Sequence, residues 1–154
     1  MRTKTMKPRS PRVAVRAVIL HDDKLLLVNA WPNGRSDLLC APGGGVDAGQ
    51  SLPDALRREM KEETGLDVSV HQPCLVNEFH DPKSGFHQVE VFFRCTIDDA
   101  TLDPTWQDPE GVVTQRRWVS RLEINELRVK PSSLAAVAWG ESGLTYDPLE
   151  PIQS

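Results

Sequence analysis

A helix with clear end signals that nonetheless carries carboxylates on its apolar face restricts this chain more than any other stretch. Ser51 stands as an N-cap with Asp54 three residues on, Pro53 is tolerated in the first turn, and Gly65 sits where a left-handed residue ends a helix. The spacing therefore predicts a helix over roughly Leu52 to Thr64. At about 100° per residue, Leu52, Ala55, Leu56 and Met60 share one arc, with Asp54, Arg57, Arg58 and Lys61 opposite. Glu59 and Glu63 fall inside the apolar arc, and Glu62 falls on its edge beside Ala55. An ionised carboxylate buried without a partner is strongly unfavourable, so these acids need protons, paired cations or metal. Two readings stand at this point. The acids form a solvated face with charge pairs at helical spacing, or spacings of three and four gather them around one hard divalent cation. Oxygen-only ligands select magnesium or manganese over zinc.

The flanking sequence arranges strands around that helix. Val13 to Leu20 and Lys24 to Ala30 are apolar runs separated by His21-Asp22-Asp23, which reads as a hairpin. A loop at Asn33 to Ser36 and a short strand at Leu38 to Ala41 lead into Pro42-Gly43-Gly44-Gly45. There the missing side chains free the backbone, which reads either as a plain loop or as a turn that presents N–H groups to an anion such as a phosphate. Beyond the helix, Val68 to Phe79, Gln88 to Ile97 and Gln115 to Val119 read as strands, and Ser132 to Trp139 as a second helix. Polar loops are expected at His80 to Phe86 and Ala100 to Glu110. Strands on both sides of a central helix imply an α/β chain with a mixed sheet packed between helices. Residues 1–11 are expected to be a flexible basic tail, 12–142 a single domain, and 143–154 a C-terminal tail.

Composition narrows the partners. A chain of 154 residues with 39% hydrophobic content builds one ordinary core, and a net charge of -4 argues against a nucleic-acid polymer as partner. Cys40, Cys74 and Cys95 are odd in number and widely spaced, which suggests neither a disulfide framework nor a zinc knuckle and fits a reducing cytoplasm. No apolar run approaches the roughly 20 residues needed to cross a bilayer. A small nucleotide remains possible as a partner, and a homodimer is left open.

From Gly44 to Leu66 the chain resembles the Nudix box: Gly, five residues, Glu, seven residues, then Arg-Glu-aliphatic-x-Glu-Glu-x-Gly-aliphatic. Gly44 begins it and Arg58-Glu59-Met60-Lys61-Glu62-Glu63-Thr64-Gly65-Leu66 ends it, with every fixed position of the second half filled. The resemblance to Nudix hydrolases implies an α/β/α sandwich built around a loop-helix-loop. It also implies Mg2+ or Mn2+ dependence, and hydrolysis of a nucleoside diphosphate linked to another moiety: a nucleoside triphosphate, nucleotide sugar or ADP-ribose-like compound. Carried over by position, Glu59, Glu62 and Glu63 are metal ligands, one of them also serving the attacking water, and Arg58 holds these carboxylates in place. Gly43, Gly44 and Gly45 are expected at the substrate. The pattern is broken at Gln50, which stands where the box has its first Glu. An amide still offers an oxygen to metal but carries no charge, which puts the number of metals in question. Asp47 is a possible substitute. The same departure leaves open a second reading, a nucleotide-sensing module with weakened catalysis.

Members of the family often carry a further acid in a late loop, and Asp108 and Glu110 are the candidates here, with Glu110 favoured. Glu90 alternates with Val89 and Val91 along a strand, facing either the pocket or solvent. Trp31, Phe79, Phe86 and Trp106 lie in or near loops, available to stack a base or simply to pack. The four histidines show no His-Glu-x-x-His pattern and are given no ligand role. The subfamily marks for diadenosine polyphosphates and coenzyme A are not visible, and Pro82 is only a weak echo of the ADP-ribose branch.

Overall fold

The computed structural model describes residues 9–154, so most of the expected basic tail lies outside the described residues. The hairpin forms as β1 (Arg12–His21) and β2 (Lys24–Asn29). Asp22 and Asp23 at its turn both take positive φ, 50° and 61°, the conformation that a tight two-residue connection between twisted strands requires. There follow β3 (Leu39–Cys40), β4 (Gly43–Gly45), α1 (Leu52–Thr64), β5 (Val68–Asp81), β6 (Phe86–Ile97), β7 (Arg116–Ser120), β8 (Val129–Lys130), α2 (Leu134–Ala138) and β9 (Thr145–Pro151). The sheet is mixed, ordered β8-β3-β2-β1-β6-β5-β9, with β4 joined to β1 and β7 joined to β2.

The hairpin splays, and this decides where the site can be. β1 pairs with β2 only at Leu20↔Leu25 and His21↔Lys24. Farther back, β4 takes the place beside β1, with Ala14↔Gly45, Val15↔Gly44 and Arg16↔Gly43, while β2 turns away to pair with β3 and β7. A fork opens between β1/β4 and β2. On its other side β1 runs parallel to β6 for its length, from Arg12↔Gln88 to Ile19↔Cys95.

Both faces of the hairpin are buried, which explains why its strands read as continuous apolar runs. Val15, Ala17 and Ile19 of β1 and Leu26 of β2 pack on one side with Ala55, Leu56 and Met60 of α1. Val18, Leu25 and Leu27 face the other side, against Leu134, Val137 and Ala138 of α2. The expected α/β/α layering is therefore present. Leu56 and Met60 are fully buried, and each such side chain contributes about 1.5–3 kcal/mol of hydrophobic stabilisation.

The ends of α1 are those read from sequence. The Ser51 hydroxyl accepts from the Asp54 N–H at 3.2 Å, and Gly65 has φ 75° with its N–H donating to the Lys61 carbonyl at 3.0 Å. Gly65 is required twice over. Trp106 lies against it, so that a Cβ would stand 2.8 Å from the indole, and the indole N–H donates to the Glu62 carbonyl at 2.8 Å. Trp106 thus packs on the helix end.

Two expectations need correction. Residues 143–154, expected as a tail, contain β9, which runs parallel to β5 from Leu75↔Thr145 to His80↔Pro151. The pairing is paid in long-range backbone hydrogen bonds that leave no local pattern, and Ser133 further ties Asp147 by its hydroxyl. The loop expected at His80 to Phe86 is instead the closing turn of the β5–β6 hairpin, with pairing continuing to Asp81↔Phe86.

Candidate active site

The fork in the sheet holds a cavity of about 160 Å³, lined by Arg12 and Arg16 of β1, Val28 and Asn29 of β2, Gly43, Gly44 and Gly45 of β4, Glu59 and Glu63 of α1, and Glu110. The core fixes α1 with the Glu59/Glu63 stripe turned toward β4. Glu59 is 6% exposed, and Gly44 makes room for it: a Cβ on Gly44 would lie 2.5 Å from the Glu59 carboxyl carbon. The Glu63 carboxylate accepts from the Gly43 N–H at 3.0 Å.

Burial raises the affinity of both acids for a proton. Desolvation pushes the Glu63 carboxyl up to about 8, although Arg16 and the Gly43 N–H act against it. Glu59 is raised for the same reason, opposed by Arg58, with Glu62 and Glu110 adding repulsion. A positive charge brought between these groups would relieve that cost.

Arg58 organises the rest. Its Nη1 donates to Glu59 at 2.9 Å and lies 3.4 Å from Glu62, and its Nη2 donates to the Gln50 side-chain oxygen at 3.1 Å and the Gly45 carbonyl at 3.3 Å. Asp47 is 3.6 Å from the same guanidinium but its side chain is 81% exposed. Glu59, Glu62 and Gln50 are thus brought together by one arginine, while Glu63 stands apart on the glycine strand. In this arrangement no three acidic, histidine or cysteine side chains among the described residues are drawn into a closed cation cage. The donor set still suits a hard cation, since its buried members are all carboxylate oxygens beside a cradle that only glycine leaves open.

The late loop separates its two acids. Asp108 is buried and accepts the backbone N–H groups of Glu110, Val112 and Val113 at 3.0, 3.2 and 2.9 Å, so it shapes the loop. Glu110 is the one that reaches the cavity. Asn29 clamps the same loop from β2, donating to the Trp31 and Val112 carbonyls and accepting from the Thr114 and Gln115 N–H groups.

Sequence reading missed the basic side of the cavity. Arg16 pairs with Glu90, and it donates to the Gly43 carbonyl at 3.1 Å and the Ala41 carbonyl at 3.4 Å, which holds the glycine strand in place. Glu90 faces inward, 2% exposed. Arg16 inside the apolar run Val13 to Leu20, with Glu90 between Val89 and Val91, was the available signal. Of the loop aromatics, Trp31 and Phe79 share the Lys130 ammonium, 5.5 and 4.9 Å from their ring centres, and Arg35 covers Trp31 at 4.4 Å.

A family model described as NUDIX domain matches residues 10–140. The phosphatase NudJ of Escherichia coli is 31% identical over 145 residues, covering 92% of this chain and 90% of that protein. An ADP-ribose pyrophosphatase of Methanocaldococcus jannaschii is 35% identical over 87 residues; the match covers 56% of this chain and 52% of the relative, about half its length. Among solved structures, a NUDIX hydrolase from Nitrosomonas europaea superposes with a TM-score of 0.65 at 30% identity, covering 77% of this chain and 78% of that one. A MutT protein from Bacillus halodurans shares the fold, with a TM-score of 0.67 at 23% identity, covering 89% and 88%.

Proposed function

This chain belongs to the Nudix hydrolase family, and from that premise we propose that it cleaves the diphosphate of a nucleoside diphosphate linked to another moiety. The observation that carries the reading is the placing of buried Glu59 and half-buried Glu63 against Gly43–Gly45, with Glu110 lining the same small cavity. The substrate class is a nucleoside triphosphate, nucleotide sugar or ADP-ribose-like compound, the last supported by the likeness to an ADP-ribose pyrophosphatase.

Glu59, Glu62 and Glu63 are the residues that would hold Mg2+ or Mn2+, which when bound neutralises diphosphate oxygens and lowers the pKa of water. Arg58 holds the carboxylates of Glu59 and Glu62 and the amide of Gln50 through one guanidinium, so the acids meet the substrate already ordered. Gly44 and Gly45 keep side chains out of the phosphate path. Glu110 takes the proton of the attacking water as its oxygen bonds to phosphorus and the bridging P–O bond breaks.

The test is product release from nucleoside triphosphates, nucleotide sugars, ADP-ribose and dinucleotides with magnesium or manganese, comparing the native protein with Glu59→Gln. Metal-dependent cleavage that is lost in the variant is expected. If nucleotide and metal raise the melting temperature but no product forms over hours, the protein is a nucleotide-sensing module and the hydrolase reading fails.

A further inference from the structure

The cavity has two sides of opposite charge. Glu59, Glu63 and Glu110 form one; the other belongs to Arg12 and Arg16 of β1. Arg16 is already compensated by Glu90 and by the two carbonyls it holds. Arg12 is different. Its Nη1 donates to the Gln88 side-chain oxygen at 2.8 Å, a neutral partner. Gln88 is in turn held by Glu90, to which its amide donates at 3.3 Å. Arg12 makes no ion pair among the described residues, and residues 1–8 contain neither Asp nor Glu.

The guanidinium lies over Gly45, where a Cβ would fall 2.8 Å from its central carbon and 2.9 Å from Nε. The bare α-carbon at Gly45 is what lets the arginine fold across β4 to the cavity. A guanidinium carries five N–H donors in a rigid fork that matches phosphate oxygens two at a time. Gln88 takes one.

We propose that Arg12 is a substrate-binding residue that grips, through its free fork, the phosphoryl group lying away from α1, held in position by the chain Gln88–Glu90–Arg16. The inference rests on the reading that this cavity receives a diphosphate. At about 160 Å³ the cavity is well below the ~300–1,000 Å³ of pockets that enclose a whole drug-sized ligand. Only the diphosphate enters it, and the contribution of Arg12 is the same whatever nucleoside or sugar lies outside.

The experiment is calorimetric titration of inorganic diphosphate, with magnesium present, into the native protein, Arg12→Gln, Arg12→Lys and Gly45→Ala. Loss of charge-assisted hydrogen bonds predicts a Kd weaker by roughly tenfold to a hundredfold in Arg12→Gln. Arg12→Lys recovers part of it as a point charge, and Gly45→Ala loses as much as Arg12→Gln because its methyl pushes the fork aside with Arg12 intact. Arg12 is exposed, so the melting temperature stays put. With each cleaved substrate of the panel, Arg12→Gln raises KM by one common factor and leaves kcat unchanged, as lost uniform binding does. Equal diphosphate affinity in the native protein and Arg12→Gln overturns the role of Arg12 alone. Failure of the native protein to bind diphosphate overturns the reading of the cavity as well.

Discussion

Gly44→Ala is a small substitution with a large consequence if Glu59 acts where the structure puts it. The new Cβ would stand 2.5 Å from the Glu59 carboxyl carbon, whereas ordinary contact begins at 3.4 Å, so one group must retreat by about 0.9 Å. The helix backbone cannot supply that movement, because Ala55, Leu56 and Met60 are fully buried against β1 and β2. β4 is held in register by Val15↔Gly44. The carboxylate therefore moves, breaking its 2.9 Å contact with Arg58. A displacement near 1 Å at a reacting site costs ~100-fold in rate, and this is the loss of kcat expected. Gly44 does not have positive φ, and replacing glycine at a permitted position stabilises by about 0.4–1 kcal/mol, so the folded protein persists. The assay pairs turnover of the cleaved substrate with a titration of manganese followed by the resonance of the free ion. Turnover and manganese affinity both equal to those of the native protein would refute the reasoning that Glu59 works from this position.

Two further outcomes follow from the same geometry. Asn29 is buried and makes four hydrogen bonds to backbone groups at 2.8–3.0 Å; at about 1 kcal/mol each, Asn29→Ala should lower unfolding stability by ~4 kcal/mol in denaturant titration. A loss under about 1 kcal/mol would mean that the loop bearing Glu110 is held by something else. In metal-free protein, Glu63 keeps its proton up to about 8 when folded but releases it near 4.5 when unfolded, so the native state binds the extra proton between those values. The contribution of Glu63 to stability is greatest below 4.5 and declines as pH rises toward 8; melting curves in chelator should show that decline in the native protein and a flatter profile in Glu63→Gln, and identical profiles would contradict it.

Much of this was legible because it was local. The limits of α1 follow from Ser51, Asp54 and Gly65, each acting within a few residues, and a 3.6-residue period makes Glu59 and Glu63 conspicuous on an apolar arc, although by itself it left a solvated charged face equally open. Glu62 was grouped with them by the same period, and Arg58, one turn earlier, holds it beside Glu59 while Glu63 stands apart on the glycine strand. The choice between Asp108 and Glu110 turned on three backbone N–H groups that no composition reveals. The basic side escaped because its members are joined across the sheet: Arg12 meets Gln88 and Arg16 meets Glu90 over more than 70 residues of chain. β9 escaped for a related reason. Two prolines and two acids, Asp147 and Glu150, in the seven residues of Thr145–Pro151 argue locally against a strand, and only the exposed backbone of β5 makes one.

Those two prolines also limit how copies of this protein can associate. β9 is the last strand on its side of the sheet, and an outermost strand is a template on which a second chain can add its own backbone. Pro148 and Pro151 remove two amide donors from seven residues, and the pairing is irregular between Asn77 and Phe79, opposite Pro148. The template is thereby spoiled just where Leu144, Tyr146 and Leu149 leave apolar surface exposed. Strand-to-strand growth from this margin is disfavoured, which leaves only the short β8 as an outermost strand at the opposite end of the sheet order.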